Sequence, residues 1–368
     1  LARLPSPAQM TRRGPQIVIW QSEGGMPAHD LAFMYKPVMD TLVRGFSDLP
    51  ASVVSAFDAV GVQPRVIHGY GARAWRQRSG PNGGLNAGDI FVWIGPGRSE
   101  VPKWQAMREA GVRTIYYQTE PVDWCSFAKT QPDELWEFSW HNFDSCAPNL
   151  PAGTTLRYVP LGYSAPPAAV EAPAENPPTE AHKLTFFGYP YYKSGRMHCY
   201  ERLRSALGPS LNATWSNWRE SDFERWWHSY GRWTVHLNLH KACEREHNPV
   251  VFRTALLLSR GATILSEHAY PDDEREYDGL VHFGTVAELP TLLERVTLRR
   301  PSSAEQPSAP PGFLRVASPP PPRCLQTRRW AAELFAARFD PQRIFARAGV
   351  YEELLLGRPS NASAGAPP

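Results

Sequence analysis

The densest chemistry in the sequence is a series of cationic and amide side chains in its second half. After Phe187 the chain runs Gly188-Tyr-Pro-Tyr-Tyr-Lys193-Ser-Gly-Arg196. A glycine-containing loop that delivers Lys193 and Arg196 to a helix start suits an anion, because free backbone N–H groups and the helix dipole both favour negative charge. Further on, Asn238-Leu-His240-Lys241 is followed by Arg245, His247 and Arg253. So many donors along one strand-to-helix loop point to a pyrophosphate or sugar site, with Arg253 the preferred phosphate contact. Ser266 and Glu267 end the next predicted strand, and the Glu267 carboxylate can accept hydrogen bonds from ribose hydroxyls. Plain structural roles stand beside these readings: a solvated loop for Lys193 and Arg196, a satisfied histidine for His240, a capping acid for Glu267.

The first half offers fewer groups. Gln21-Ser-Glu-Gly24-Gly25-Met-Pro-Ala-His29-Asp30 follows a predicted strand. Its paired glycines permit close backbone approach, and His29 beside Asp30 can serve as a base. The alternative is a turn whose helix is capped by Asp30. Gln118, Thr119 and Glu120 end another strand, which makes Glu120 a second acid or base, or else a residue that orients an acceptor. Tyr189, Tyr191, Tyr192 and Trp124 can stack on a ring, although aromatic residues more often fill cores. The Trp215, Trp218, Trp226, Trp227 and Trp233 series reads as packing.

Two alternations of strand and helix must position these groups. Apolar runs at Ile17–Trp20, Arg65–His68, Ile90–Ile94 and Arg113–Tyr117 read as buried parallel strands, with helices over Leu31–Phe46 and Val101–Ala110. A helix around Asp133–Phe138 and a strand at Leu156–Val159 follow. The second alternation predicts strands at Leu184–Phe187, Ala213–Ser216, Thr234–Leu239, Ala262–Ser266 and Leu280–Phe283. Its helices fall over Arg196–Leu207, Ser221–Tyr230, Val250–Arg260 and Val286–Val296. The expected fold is α/β, with two Rossmann-like domains facing a cleft. Residues 1–163 form the acceptor-side domain, 164–182 a Pro/Ala-rich linker, and 183–300 the donor-binding domain. Residues 301–324 read as a Pro/Ser-rich insertion, 325–357 as two closing helices (Leu325–Arg338 and Pro341–Leu355), and 358–368 as a tail. Ligands in such sheets bind beyond the carboxyl ends of the strands.

Composition narrows the function. The 39 basic and 36 acidic residues are interspersed, so no basic face calls for a nucleic acid, and no apolar run is long enough to span a bilayer. Cys125, Cys146, Cys199, Cys243 and Cys324 are scattered and show no C-x-x-C spacing, so isolated thiols are expected and neither a zinc site nor a dense disulfide framework is indicated. Asn212-Ala-Thr214 and Asn361-Ala-Ser363 fit the N-glycosylation pattern. The chain begins at Leu1 rather than Met. Cytoplasm and Golgi lumen are both left open, as is an upstream anchor.

The run His236-Leu-Asn-Leu-His240, then Val251-Phe-Arg253 and Leu258-Ser-Arg-Gly-Ala-Thr-Ile-Leu-Ser-Glu267, resembles the C-terminal half of bacterial-type GT-B glycosyltransferases, including the spore-maturation-protein group. Phe187-Gly188 with Arg196, Tyr158-Val-Pro-Leu-Gly-Tyr163 and the paired closing helices resemble that group more weakly. The resemblance implies transfer of a sugar from a nucleotide-diphosphate donor, held by the C-terminal domain, to an acceptor held by the N-terminal one, without a catalytic metal. It gives Arg196, Arg253, Ser266 and Glu267 donor-side roles. Many relatives carry a Glu three residues after the equivalent of Arg253, where this chain has Leu256. That departure keeps an inactive glycan- or nucleotide-binding relative as the alternative. An epimerase-type reading is disfavoured because the first strand lacks G-x-G-x-x-G.

Overall fold

The structure, a computed structural model, describes residues 14–21, 36–59, 64–70, 84–95, 104–119, 132–166, 184–187, 195–214, 220–240, 242–245, 251–298 and 323–358. Among these residues two all-parallel sheets form. The first contains β1 (Gln16–Gln21), β2 (Arg65–Tyr70), β3 (Ile90–Ile94), β4 (Arg113–Tyr117), β5 (Glu134–Glu137) and β6 (Thr155–Tyr158), in the order β2-β1-β3-β4-β5-β6. The second contains β7 (Leu184–Phe187), β8 (Leu211–Thr214), β9 (Val235–Asn238), β10 (Ile264–Glu267) and β11 (Val281–Gly284), in the order β11-β10-β9-β7-β8. In each sheet the first strand lies between the second and third. The winding therefore reverses at β1/β3 and again at β7/β9, as in doubly wound α/β domains.

Continuous apolar runs form these strands because both faces are covered. Ile17 and Ile19 pack with Val38 and Leu42 of α1 (Lys36–Ser47), whereas Val18 and Trp20 face Trp104 and Met107 of α3 (Trp104–Glu109). Between them lies α2 (Ala51–Asp58), and α4 (Trp140–Cys146) follows β5. The second sheet carries α5 (Gly195–Leu207), α6 (Glu220–Ser229), α7 (Val251–Leu258), α8 (Pro271–Glu276) and α9 (Leu289–Leu298). Leu184, Phe186, Leu237 and Leu265 bury one face of that sheet against Cys199 and Leu203 of α5 and Leu293 of α9.

The closing helices α10 (Arg323–Arg338) and α11 (Pro341–Arg347) tie the halves together. Phe345 of α11 packs edge-on against Phe46 and Trp136 of the first half, and Gly45 admits it, since a Cβ there would lie 2.6 Å from the Phe345 ring. Tyr351 Oη donates to Gly45 O at 2.8 Å, and Arg157 Nη1 to Ala348 O at 2.7 Å. Phe335 and Phe339 join one core with Ala255, Leu256 and Tyr277 of the second half and Val159 and Leu161 of the first.

Three expectations are corrected. Glu134–Glu137 is a strand, not a helix: it pairs in parallel with both β4 and β6, and all four side chains are buried. Buried Glu134 is admitted there because Arg157 Nε donates to it at 2.7 Å. The Pro341–Leu355 helix breaks at Gly349, whose φ of +70° ends α11 before a wide π-helical turn, Val350–Leu355. Cys199 and Cys243 are a disulfide, not isolated thiols, with Cα atoms 5.8 Å apart. Cys146 is disulfide-bonded as well. Most of the 164–182 linker, of the 301–324 insertion and of the 358–368 tail lies outside the described residues.

Candidate functional site

The carboxyl ends of the two sheets face each other. The segment after β5 meets the segment after β10, where Asp273 of α8 accepts from Trp140 N at 2.8 Å and from His141 N at 3.2 Å. One half thus supplies a helix cap to the other, alongside the Ser139 Oγ that accepts from Asn142 N at 3.1 Å. Burial pushes the Asp273 carboxyl up to about 7. Tyr270 Oη donates to Asp144 at 2.7 Å across the same junction. Beside it Phe138, which follows β5, lies 5.5 Å from Phe252, the neighbour of Arg253. Groups at the carboxyl edge of the second sheet are therefore at the boundary between the halves, where ligands bind in doubly wound folds.

At that edge, on the β7/β9 reversal, the second half gathers Arg196, Asn238, His240, Arg253, Ser266 and Glu267. Arg196 sits in the first turn of α5 and donates from Nε to Leu239 O at 3.0 Å. Arg253 sits in the first turn of α7, with its guanidinium 5.4 Å from the centre of the Phe186 ring. Burial, and then the charge of Arg196, push the Arg253 guanidinium down from 12.5 to about 9. Two arginines that raise each other's electrostatic cost, each at a helix N-terminus, form a concentrated positive field.

The floor of this site is a built loop. Asn238 Nδ2 donates to Ser266 Oγ at 2.9 Å, and Ser266 Oγ donates to Glu267 O at 2.9 Å. Glu267, 1% exposed, accepts from His240 N at 2.6 Å on one oxygen and from Glu244 N at 2.7 Å on the other. Burial pushes the Glu267 carboxyl up, against the pull of those two N–H groups and of Arg196. The loop it holds contains Cys243 and Glu244 with φ of +45° and +53°, the two positive-φ residues other than glycine among those described. L-residues occupy this region at a cost of about 1–2 kcal/mol each, so the surroundings must hold them there. Besides Glu267 they include the Cys199–Cys243 disulfide, Arg202, whose Nη1 donates to Glu244 at 2.8 Å, and Val286 N, which donates to Glu244 at 3.2 Å. Gly195 completes the fit, because a Cβ there would come within 2.8 Å of the Ala242 backbone.

Sequence reasoning thus assembled six residues that the fold brings to one edge. Glu267 has a role the spacing did not reveal, since both its oxygens hold the loop's backbone. Leu256, in the position where the resembled group carries a glutamate, is 2% exposed in the core shared by both halves. Lys193, Gly188, Gly24, Gly25, His29, Asp30 and Glu120 lie outside the described residues, as do the Tyr189–Tyr192 aromatics and Trp124. Asp273 and the disulfide were missed. A short acidic helix start and two cysteines 44 residues apart carry no local signal of their partners.

No family model matches the sequence, and no curated protein matches it either. Solved structures do resemble it over most of its length. The Anabaena protein HepE, determined in complex with UDP and glucose, shares 9% identity at a TM-score of 0.44, covering 89% of this chain and 96% of its own. The lipopolysaccharide outer core galactosyltransferase WaaB, in its apo form, shares 8% at a TM-score of 0.44 over 90% and 98%. The glycotransferase of kitacinnamycin shares 10% at a TM-score of 0.40 over 92% and 99%. Among the described residues no helix is long and apolar enough to cross a membrane.

Proposed function

We propose that the chain is a GT-B glycosyltransferase that binds the diphosphate of a nucleotide sugar at the carboxyl edge of its second sheet and transfers the sugar to an acceptor held by the first half. The observation that carries this reading is the Arg196–Arg253 pair at the winding reversal of β7/β9, facing the first half through Phe252 and Phe138. A diphosphate is a ligand whose charge suits two guanidiniums that act on each other electrostatically. When a glycosyl bond to it breaks, the same pair stabilises the charge that develops on the leaving group. Lys193 and Gly188 join the donor site in this reading, and Gly24 and Gly25 line the acceptor side. His29 with Asp30, or Glu120, is the base. Neither a metal nor a further cofactor is assigned.

Leu256 favours one second reading, a relative that binds donor or glycan without turning it over. Of the two compartments the sequence leaves open, the disulfides support an oxidising one, such as the Golgi lumen. The test is a panel of UDP-, GDP-, ADP- and CMP-sugars, screened for thermal stabilisation and for slow donor hydrolysis. Stabilisation with hydrolysis by one donor establishes the transferase. Stabilisation by one donor, with no turnover against any acceptor in a glycan library, establishes the binding relative. Indifference to every donor refutes both.

A further inference from the structure

The proposed donor site has an unusual support. Its floor, which includes residues 239–240 and 242–245, is joined to the helix that carries Arg196 by a covalent bond: Cys199 lies one turn after Arg196 in α5, and Cys243 lies in the loop. The Cys199 sulfur is also 3.5 Å from Glu267 Oε1, the oxygen that holds Glu244 N. Disulfide, carboxylate and the two left-handed residues thus meet in the loop whose Leu239 carbonyl accepts from Arg196.

We propose that the Cys199–Cys243 disulfide is a positioning element for the donor, so that diphosphate binding depends on its oxidation. The proposal rests on the donor site assigned above. In the oxidised state Cys199 has no proton, and Glu267 Oε1 serves the Glu244 N–H. Reduction by a dithiol transfers two electrons and two protons to the pair: the S–S bond breaks, two thiols form, and the dithiol closes to its own disulfide. The Cys199 thiol then donates to the same carboxylate oxygen. Cys243, no longer tethered, can leave the left-handed region that the bond enforces. Arg196 and the loop lose their fixed separation. The Arg196 guanidinium is then no longer held in place against the loop.

The experiment uses the full chain and a Cys199→Ser/Cys243→Ser double variant, which leaves the Cys146 disulfide in place. A chelator is present throughout, because the two sulfurs and Glu244 offer three donor atoms within 4.8 Å that could collect a stray metal. The first readout needs no ligand: hydrogen exchange at the amides of His240 and Glu244. The second is the affinity for inorganic pyrophosphate, and for the responding nucleoside diphosphate, at constant ionic strength. In the variant, exchange at both amides is expected to rise at least tenfold and affinity to fall about tenfold. With a turned-over donor, KM is expected to rise while kcat changes little. Unchanged exchange overturns the proposal, and so does faster exchange with unchanged affinity. If the oxidised wild type binds no pyrophosphate or nucleotide, the donor site itself is wrong and the proposal falls with it, an outcome distinct from the other two. Should the double variant fail to fold, the same readouts on wild type briefly reduced while folded, with thiols counted by mass, decide the matter.

Discussion

Replacing Arg253 by methionine is expected to make the ligand-free protein more stable and, on the proposed function, to weaken its binding of a nucleotide-sugar donor. The guanidinium's fall from 12.5 to about 9 corresponds to roughly 5 kcal/mol of differential destabilisation of the charged form. Because Arg253 is only partly buried, solvent screening reduces the usable figure to about 2–3 kcal/mol. Methionine keeps much of the apolar length but loses the attraction of the cation for the Phe186 face, about 0.5–1 kcal/mol. The net expectation is a gain of about 1–2 kcal/mol. A pH titration cannot reveal it: the folded value is below the unfolded one, so the cost is constant below about 9 and relieved only between there and 12.5.

Urea denaturation at neutral pH therefore measures the first half of the prediction, and thermal shift with nucleoside diphosphates the second. Losing one charge-assisted contact of about 1.5–3 kcal/mol weakens donor binding by roughly ten- to a hundredfold. Arg295→Met, which removes an exposed cation of α9 outside the site, is the control and should change neither quantity much. An Arg253→Met protein that is less stable than wild type yet binds donor normally would show that the arginine is structural, and the electrostatic reasoning would be refuted. On the proposed function, the expected combination is a trade-off of stability against binding.

Two buried groups predict opposing pH effects that a scan of the wild type would hide. His236, fully buried with Nε2 2.9 Å from Gly231 O, is pushed down to about 3 by burial, so its contribution is lost as pH falls from 6.5 towards 3. Asp273, pushed up to about 7, contributes fully below about 4 and loses that contribution as pH rises through 7. His236→Gln should thus expose a stability that falls with rising pH between about 4 and 7. Asp273→Asn should expose one that rises between about 3 and 6.5, each at up to about 1.4 kcal/mol per pH unit in denaturant titrations. Slopes of the opposite sign in either variant would contradict the assignment. Asp273→Ala should also remove the cap from α4, costing about 1–2 kcal/mol and raising hydrogen exchange at Trp140 and His141.

Much of the layout was legible because its signals are local. The Ile17–Trp20 and Ile90–Ile94 runs could only be strands covered on both faces, and both are. Arg196, Asn238, Arg253 and Glu267 could be assigned to one site because each follows or ends a strand of one parallel sheet, and the winding rule collects such positions. Glu134–Glu137 was misread because two glutamates in four residues suggest a solvated helix. What makes the strand possible is Arg157, two strand positions into β6 and distant in sequence. The disulfide has the same character, since its partners sit on separate elements that only the folded sheet brings within bonding distance. The role of Glu267 as a loop anchor was not legible, because the groups it holds are backbone amides that no side-chain pattern reports.

The connections within and between the halves differ in kind, and the difference bears on how the site would work. Among the described residues, the contacts that hold the loop after β9 include several internal to the second half: Glu267 to His240 and Glu244, Cys199 to Cys243, Arg202 to Glu244, and Arg196 to Leu239. Arg253 is different. Its neighbour Phe252 touches Phe138, and α7 packs against α1 of the first half, so the element carrying this arginine belongs to the boundary. A relative shift of the halves would move Arg253 against a floor that holds Arg196 still. On the proposed function, Arg196 is held from the disulfide side and Arg253 from the interdomain aromatic contact, so a donor that engages both would favour one arrangement of the halves.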